Sequence, residues 1–135
     1  MSRAPLAALF VLAALASGCA GSASSASEFK GEEKKVADVV EPLQTAGETG
    51  DAGKICDDVL AKQLRDQIQE AGSTCKQELD EAIKDADDFE LEVQDVTIQG
   101  DSATAKVKGR DQGKERVRDF EFVREGSVWR ATSLG

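Results

Sequence analysis

The strongest pattern in the chain is the alternation of apolar and polar residues in its last third, residues 89–134. A period of two is typical of β-strands that bury one face. The turn signals Gly100-Asp101 and Glu125-Gly126 interrupt the alternation, and two-residue turns of this kind join antiparallel strands. Together with a four-residue loop at Asp111–Lys114, they predict four antiparallel strands in sequence order.

The turns also predict which residues lie opposite each other. The first hairpin, with one bulged residue near Gln94–Asp95, pairs Ile98 with Ala103, Val96 with Ala105, Val93 with Val107 and Glu92 with Lys108. The second pairs Ala103 with Phe122, Ala105 with Phe120, Lys106 with Asp119 and Arg110 with Glu115. The third pairs Phe122 with Trp129, Phe120 with Ala131 and Glu121 with Arg130. Each register puts apolar side chains on one face and opposite charges on the other.

The residues upstream of the sheet have the spacing of amphipathic helices. The first helix carries an apolar stripe with the helical period, formed by Val36, Val39, Val40 and Leu43. Pro42 lies inside this stripe, so it either kinks the helix or starts a second turn. Gly47 and Gly50 are expected to end the helix.

Three further helical segments are predicted before the sheet: Ala52–Asp58, with Asp51 as its N-terminal cap, then Ala61–Glu70 and Cys75–Asp87. A sheet with one apolar face must be covered, and these helices can cover it. The predicted fold class is therefore α+β, with three to four N-terminal helices packed on one face of a curved four-stranded antiparallel sheet.

The N-terminus has the features of a secretory signal peptide: Arg3, then the apolar run Leu6–Ala16, then small residues. The segment Leu15-Ala16-Ser17-Gly18-Cys19 resembles the bacterial lipobox, whose cysteine receives a diacylglycerol thioether before cleavage. The resemblance implies that Cys19 becomes the acylated N-terminus of the mature protein. The alternative is an ordinary signal peptide followed by an incidental cysteine.

With lipidation at Cys19, the chain divides into three parts. Residues 1–18 are the lipoprotein signal peptide, residues 19–33 are the lipidated cysteine and a flexible tether rich in Ser, Ala and Gly, and residues 34–135 are the folded domain. Acyl chains such as palmitate would hold the protein in the lipid bilayer. The expected location is the cell membrane, on its extracytoplasmic side.

The charge of the chain restricts its partners. It has 17 basic and 26 acidic residues, a net charge of −9, which becomes −10 when the leader and its Arg3 are removed. Such a surface repels phosphate backbones, so we expect no nucleic-acid partner. The chain contains neither His nor Tyr, which removes the commonest general base and metal ligand. We therefore expect no metal, no cofactor and no enzymatic activity.

Cys56 and Cys75 remain after Cys19 is assigned to the lipid. In an exported protein an even remainder predicts a disulfide bond. A metal pair or a redox pair is the alternative, but no histidine accompanies the two cysteines and their spacing is not C-x-x-C.

Helices followed by a curved antiparallel sheet resemble the nuclear transport factor 2-like fold, a cone, and more narrowly the small exported lipoproteins of actinobacteria that have this fold. The residues behind the resemblance are Val36–Leu43, Gly50-Asp51 before Cys56, Ser73-Thr74-Cys75, Val96–Ala105 and Gly126–Arg130. Because this superfamily includes isomerases, cyclases and many non-catalytic modules, the resemblance implies a fold and not an activity.

The function expected is that of a non-catalytic binding or accessory domain. A small apolar ligand could lie in the cone near Phe89, Phe120, Phe122 and Trp129, but plain core is the favoured interpretation, since four aromatics are few for a domain of this size. Arg118 is expected to be the one charge on the aromatic face, either at a pocket mouth or at the sheet edge. The alternatives are an isomerase or cyclase using a buried carboxylate, and a protein-interaction module. The expected oligomeric state is a monomer.

Overall fold

The computed structural model describes residues 28–135, so the leader, Cys19 and most of the tether lie outside the described residues. The fold is α+β, as predicted, with helices preceding one antiparallel sheet. The helices are α1 Gly31–Ala37, α2 Val40–Thr49, α3 Ala52–Lys54, α4 Lys62–Glu70 and α5 Cys75–Asp85. The strands are β1 Glu92–Gln99, β2 Ser102–Asp111, β3 Lys114–Glu125 and β4 Val128–Ser133. None of the helices in residues 28–135 has the length and apolar character needed to cross a bilayer.

The strands lie in the order β1-β2-β3-β4, and the predicted registers of the first two hairpins are confirmed. In the first hairpin Val96 lies opposite Ala105, and the register shifts between Val93 and Asp95, where the bulge was expected. In the second, the predicted opposition of Lys106 and Asp119 brings their charged groups to 3.1 Å.

The predicted register of the third hairpin is wrong by two residues. Trp129 lies opposite Arg124 and Ala131 lies opposite Phe122, because the turn is Gly126-Ser127 and Glu125 pairs with Val128. Gly126 has a φ of 65°, and a hairpin turn with glycine at its first central position provides this left-handed conformation without steric cost. A slip of two residues does not change the face of the sheet on which a side chain lies, so Trp129 and Phe122 are both on the buried face.

The second hairpin also has a tighter turn than predicted. Asp111 and Lys114 are paired strand residues, and Gln112-Gly113 alone forms the turn. Both turn residues have positive φ, 53° and 73°, as a two-residue turn matched to strand twist requires. The loop of four residues is therefore a loop of two, with no change in register.

The first helix predicted from the sequence is two helices. The α-helical hydrogen bonding is interrupted at Asp38-Val39, although both residues keep right-handed helical backbone angles, and Pro42 is the third residue of α2. Proline cannot donate to the carbonyl of Asp38 four residues earlier, and its ring would collide with it, whereas the first turn of a helix tolerates proline. Gly47 does not end α2; Gly50 does, with a φ of 73° and with the Asp51 amide bonded back to the Ala46 carbonyl at 2.8 Å.

The disulfide between Cys56 and Cys75 is confirmed, with 6.0 Å between the two Cα atoms. As predicted, the Asp51 carboxylate caps α3 by accepting from the Lys54 amide. After Lys54 the chain continues as a π-helical turn, Ile55–Val59, which contains Cys56. The disulfide joins this turn to the first residue of α5. Closing a loop of this length stabilises the fold by about 3 kcal/mol on the chain-entropy estimate.

The core lies between the helices and one face of the sheet, and its buried side chains are apolar. Phe122 lies between Ala103 of β2 and Ala131 of β4, so a large side chain fills the space left by two small ones. The largest fully buried side chains are Trp129, Ile55, Leu60, Val36, Val59 and Val107. At the β4 edge, the Ala61 amide donates to the Ala131 carbonyl at 2.8 Å, so the segment before α4 covers part of that edge.

A polar clasp joins α1 to the last hairpin. The buried indole of Trp129 donates from Nε1 to Oε2 of Glu32 at 3.0 Å, and the guanidinium of Arg124 lies 3.2 Å from the same oxygen. The guanidinium also lies over the Trp129 ring, 4.8 Å from its centroid. Glu32 thus satisfies the one polar side-chain atom of a core tryptophan, and this contact fixes α1 against the last hairpin.

The Glu32 carboxylate is stabilised in its charged form. Hydrogen bonds from Lys35 and then from Trp129 hold the pKa of Glu32 below its ordinary value of 4.5. A carboxyl group with a lowered pKa in the folded state contributes stability above its unfolded pKa. This contribution is lost as the pH falls through the lower, folded pKa.

We expect Glu32→Gln to lower the thermal midpoint at pH 7, because the amide loses the ionic contacts with Lys35 and Arg124. The difference from the wild type should shrink as the pH falls from 4.5 through the lowered pKa of Glu32 in the folded state, where the wild type also loses its carboxylate. Trp129 is the single tryptophan, so its fluorescence during thermal unfolding reports on the clasp directly. Glu33→Gln removes the same charge from an exposed position of α1 and serves as the control. Equal shifts for the two variants at pH 7 would contradict the clasp.

Candidate functional site

The β2–β3 hairpin extends beyond the other two strands. β1 pairs with β2 only up to Lys108, and β4 pairs with β3 only from Glu121 onward. The part of the hairpin beyond these pairs, residues 109–120, is called the overhang below. Between its inner face and the segment after α5 lies an open groove of about 280 Å³.

The floor of the groove is apolar. Phe120 and Val107 extend from the core into it, and Phe89 and Leu91 line it from the segment between α5 and β1. Gly109 allows this approach, because a Cβ at that position would lie 3.2 Å from Cδ2 of Leu91. The groove is therefore continuous with the core rather than a separate surface feature.

One wall of the groove carries two arginines that share a single carboxylate. Arg118 donates from Nη2 to Oδ2 of Asp111 at 3.1 Å, and Nε of Arg116 lies 3.5 Å from the same oxygen. Both guanidinium side chains are about half exposed, at 50% and 54%. The aliphatic stem of Arg118 is held by the backbone of Gly135, where a Cβ would come within 2.9 Å of it. The wall thus presents guanidinium groups whose hydrogen-bonding capacity is only partly used.

The opposite wall is acidic and is tied to the hairpin tip. Asp87 accepts the backbone amide of Gln112 at 3.2 Å, and Asp88 accepts the backbone amide of Glu90 at 2.6 Å. Asp85 lies on the same side, at the end of α5. The bond from Gln112 to Asp87 bridges the groove at one end and fixes the segment against the overhang.

Helix α2 positions the segment that carries Phe89. The side-chain oxygen of Gln44 accepts the backbone amide of Leu91 at 3.1 Å. The Phe89 ring packs directly on the backbone of Gly47, where a Cβ would fall under 3.0 Å from three ring carbons. Gly47 is therefore required by the close approach of a side chain rather than by a helix end.

Three of the five predicted pocket residues, Phe89, Phe120 and Arg118, line this groove. The other two lie elsewhere in the fold. Trp129 is buried in the clasp with Glu32, and Phe122 forms the floor of a second, shallower groove of about 430 Å³ between α4 and the sheet. Cys19 lies outside the described residues, and Cys56 and Cys75 form the disulfide and do not line the groove.

The expectation that Arg118 is the one charge on the aromatic face is wrong. Arg116 and Arg124 lie at positions of the same parity on β3, opposite Gly109 and Trp129, and therefore share that face. The two-residue period of Phe122 and Phe120, continued towards the turn, would have predicted that Arg116 lies on the same face. Asp111, which binds both groove arginines, could not be found this way because it was assigned to a loop.

The described residues contain no cluster of three or more acidic, histidine or cysteine side chains arranged to hold a metal ion. The groove itself is lined by guanidinium donors, carboxylate acceptors and an apolar floor. Comparison with models of known protein families finds no match for this chain, and comparison with curated protein sequences finds none either.

We expect Gly47→Ala to disturb the groove, because the new methyl group must displace the Phe89 ring. Overpacking of this kind typically costs about 1–3 kcal/mol. Chemical denaturation of the purified variant measures the loss.

Gly53→Ala is the matched control, since its Cβ would meet only Oδ1 of Asp51 at an ordinary 3.6 Å. In a helical segment this change should be neutral or stabilise by up to about 1 kcal/mol. Similar stability of the two variants would show that Phe89 is not held against Gly47.

Proposed function

We propose that this protein is a membrane-anchored, extracytoplasmic lipoprotein whose domain is a non-catalytic binding or accessory module. Acyl chains on Cys19 hold it in the bilayer, and the tether that follows, within residues 19–33, includes the Ser/Ala/Gly-rich run 20–27. The observation that carries the binding function is the groove in which Phe89, Phe120 and Arg118 come together. Its volume lies just below the range of about 300–1,000 Å³ that is usual for ligand pockets, which suits a small ligand.

The disulfide supports the extracytoplasmic location. Bonds of this kind form and persist in oxidising compartments outside the cytoplasm. The pair Cys56–Cys75 joins the π-helical turn to α5 within the folded domain, so its role is structural. A signal peptide ending at a lipobox-like cysteine is consistent with the same location.

The finer fold that we propose is the nuclear transport factor 2-like cone. Helices packed on one face of a four-stranded antiparallel meander, with a groove beside the overhang, are compatible with it. Because that superfamily includes both catalytic and non-catalytic members, the function proposed here rests on the groove and not on the fold.

The charges of the groove favour binding over catalysis. Acid–base catalysis depends on ionisable groups whose pKa is shifted by burial or by a close partner in a site that excludes water. The side chains of Arg116, Arg118 and Asp111 are each about half exposed and are arranged as ion pairs. Such groups orient a charged ligand without transferring protons to it.

We expect Cys19→Ala to abolish membrane attachment, because the thiol that would carry the diacylglycerol is removed. The protein should leave the membrane fraction and appear in the medium, or remain as the unprocessed precursor. Fractionation and mass measurement distinguish these products from the wild type. Ser22→Ala, three residues into the tether, should leave attachment unchanged. Continued membrane attachment of Cys19→Ala would overturn the lipid anchor.

We expect the domain to retain a small molecule through purification. Native mass spectrometry of the full chain carrying Cys19→Ala, prepared without detergent, should show a non-covalent adduct that disappears on denaturation. Gly47→Ala in the same background should reduce the adduct, because it displaces Phe89 from the groove. The bare polypeptide mass under native conditions would contradict a ligand-binding role.

A further inference from the structure

We propose that the groove binds an amphipathic monoanion, a small molecule with one negatively charged group on a short apolar chain or ring. The anionic group binds Arg116 and Arg118, and the apolar part lies on Phe89, Leu91 and Phe120. This inference rests on the proposed binding function and names its ligand class.

The arginine wall supplies the anion site. Each guanidinium has five N–H donors, yet Arg116 and Arg118 are both directed to one oxygen of Asp111. Two positive charges therefore share one negative charge, and most of their donors are free for a ligand. A carboxylate or a similar planar or tetrahedral anion can accept two parallel hydrogen bonds from a guanidinium, which is the strongest arrangement available to it.

The acidic wall restricts the charge of that anion to one. Asp85, Asp87 and Asp88 face the arginines across the groove, and with Asp111 they outnumber the basic groups Arg110, Arg116 and Arg118 by four to three. Each of Asp87 and Asp88 accepts a backbone amide, from Gln112 and Glu90 respectively, which favours the positions they have at the groove. A second negative charge on the ligand would meet these carboxylates and be repelled.

The floor and the volume restrict the apolar part. A groove of about 280 Å³ corresponds to about nine water molecules at about 30 Å³ each, so it holds a short chain or a single ring. The floor has no polar side-chain atom, since it is formed by Phe89, Leu91, Val107 and Phe120. A fully hydrated anion therefore gains no binding free energy from it. An anion attached to an apolar group gains from both the wall and the floor.

Isothermal titration with decanoate, below its micellar concentration, tests the proposal. The protein is the full chain carrying Cys19→Ala, because neither an acyl chain nor a detergent then competes for the groove. Decanoate should bind at one site. Decyltrimethylammonium tests the sign of the charge, acetate tests the need for the apolar chain, and decyl phosphate at pH 8 tests a second negative charge. Each of these should bind at least about tenfold more weakly.

Arg118→Gln should weaken decanoate binding by about tenfold or more, as expected for the loss of a hydrogen bond to a charged group. Arg116→Gln, made separately, should do the same, so that the result does not depend on one variant folding correctly. Lys106→Gln removes the same charge from the outer face of the sheet and should change the affinity less than twofold. The thermal midpoint of each variant confirms that it is folded.

Equal binding of decanoate to Arg118→Gln, Arg116→Gln and the parent would overturn the proposal, as would tighter binding of the cation or of decyl phosphate. Binding to vesicles of an anionic phospholipid without binding to monomeric decanoate would also overturn it, because the ligand would then be a bilayer surface. These outcomes are distinct from failure of the proposed function. A retained adduct in native mass spectrometry together with no decanoate binding would leave the groove a binding site with a different ligand class.

Discussion

The structure depends on burying a sheet that is apolar on one face only. Strand pairing satisfies the hydrogen bonds of the backbone. The apolar side chains on one face still need to be covered, among them Val96, Ala105, Phe122 and Trp129. The helices supply this cover with Val36, Ile55, Val59 and Leu60, which are almost completely buried. The disulfide between Cys56 and Cys75 fixes the π-helical turn, and the clasp between Glu32 and Trp129 fixes α1. Both segments are too short to be stable as isolated helices.

The groove exists because the cover is shorter than the hairpin beneath it. β2 and β3 continue past the ends of β1 and β4, and the inner face changes from apolar to charged along this extension. Phe120 is the last aromatic under the cover, and Arg118 and Arg116 are the next residues on the same face. A buried face therefore passes directly into a charged one, and this boundary is what gives the groove both an apolar floor and a charged wall.

The sequence predicted most of the sheet because its two faces constrain the register strongly. In the first two hairpins, only one register pairs valines with alanines inside and lysines with acids outside, and the structure has that register. The third hairpin was wrong because a slip of two residues keeps every side chain on its face, so the two-residue period does not distinguish a turn at Glu125-Gly126 from one at Gly126-Ser127. The candidate site was harder to predict. The two-residue period assigns Phe89, Phe120, Phe122 and Trp129 to one side of the sheet. It does not predict which of these side chains the helices cover and which of them line a groove. The approach of Phe89 to Gly47 and of Arg118 to Gly135 joins distant parts of the chain, and no local pattern encodes it.

The overhang has a consequence for how copies of this chain meet. On the side away from β2, residues 114–117 of β3 have no strand partner among the described residues, and an unpaired edge of this kind is a template for joining a second sheet. An antiparallel joining of two such edges centred on Arg116 keeps the faces continuous and sets Arg116 against Arg116 and Lys114 against Arg118 of the other copy. Like charges directly opposite each other destabilise strand pairs. The arginines that make one wall of the groove therefore also discourage the hairpin from polymerising, even where anchoring to a common surface would crowd many copies together.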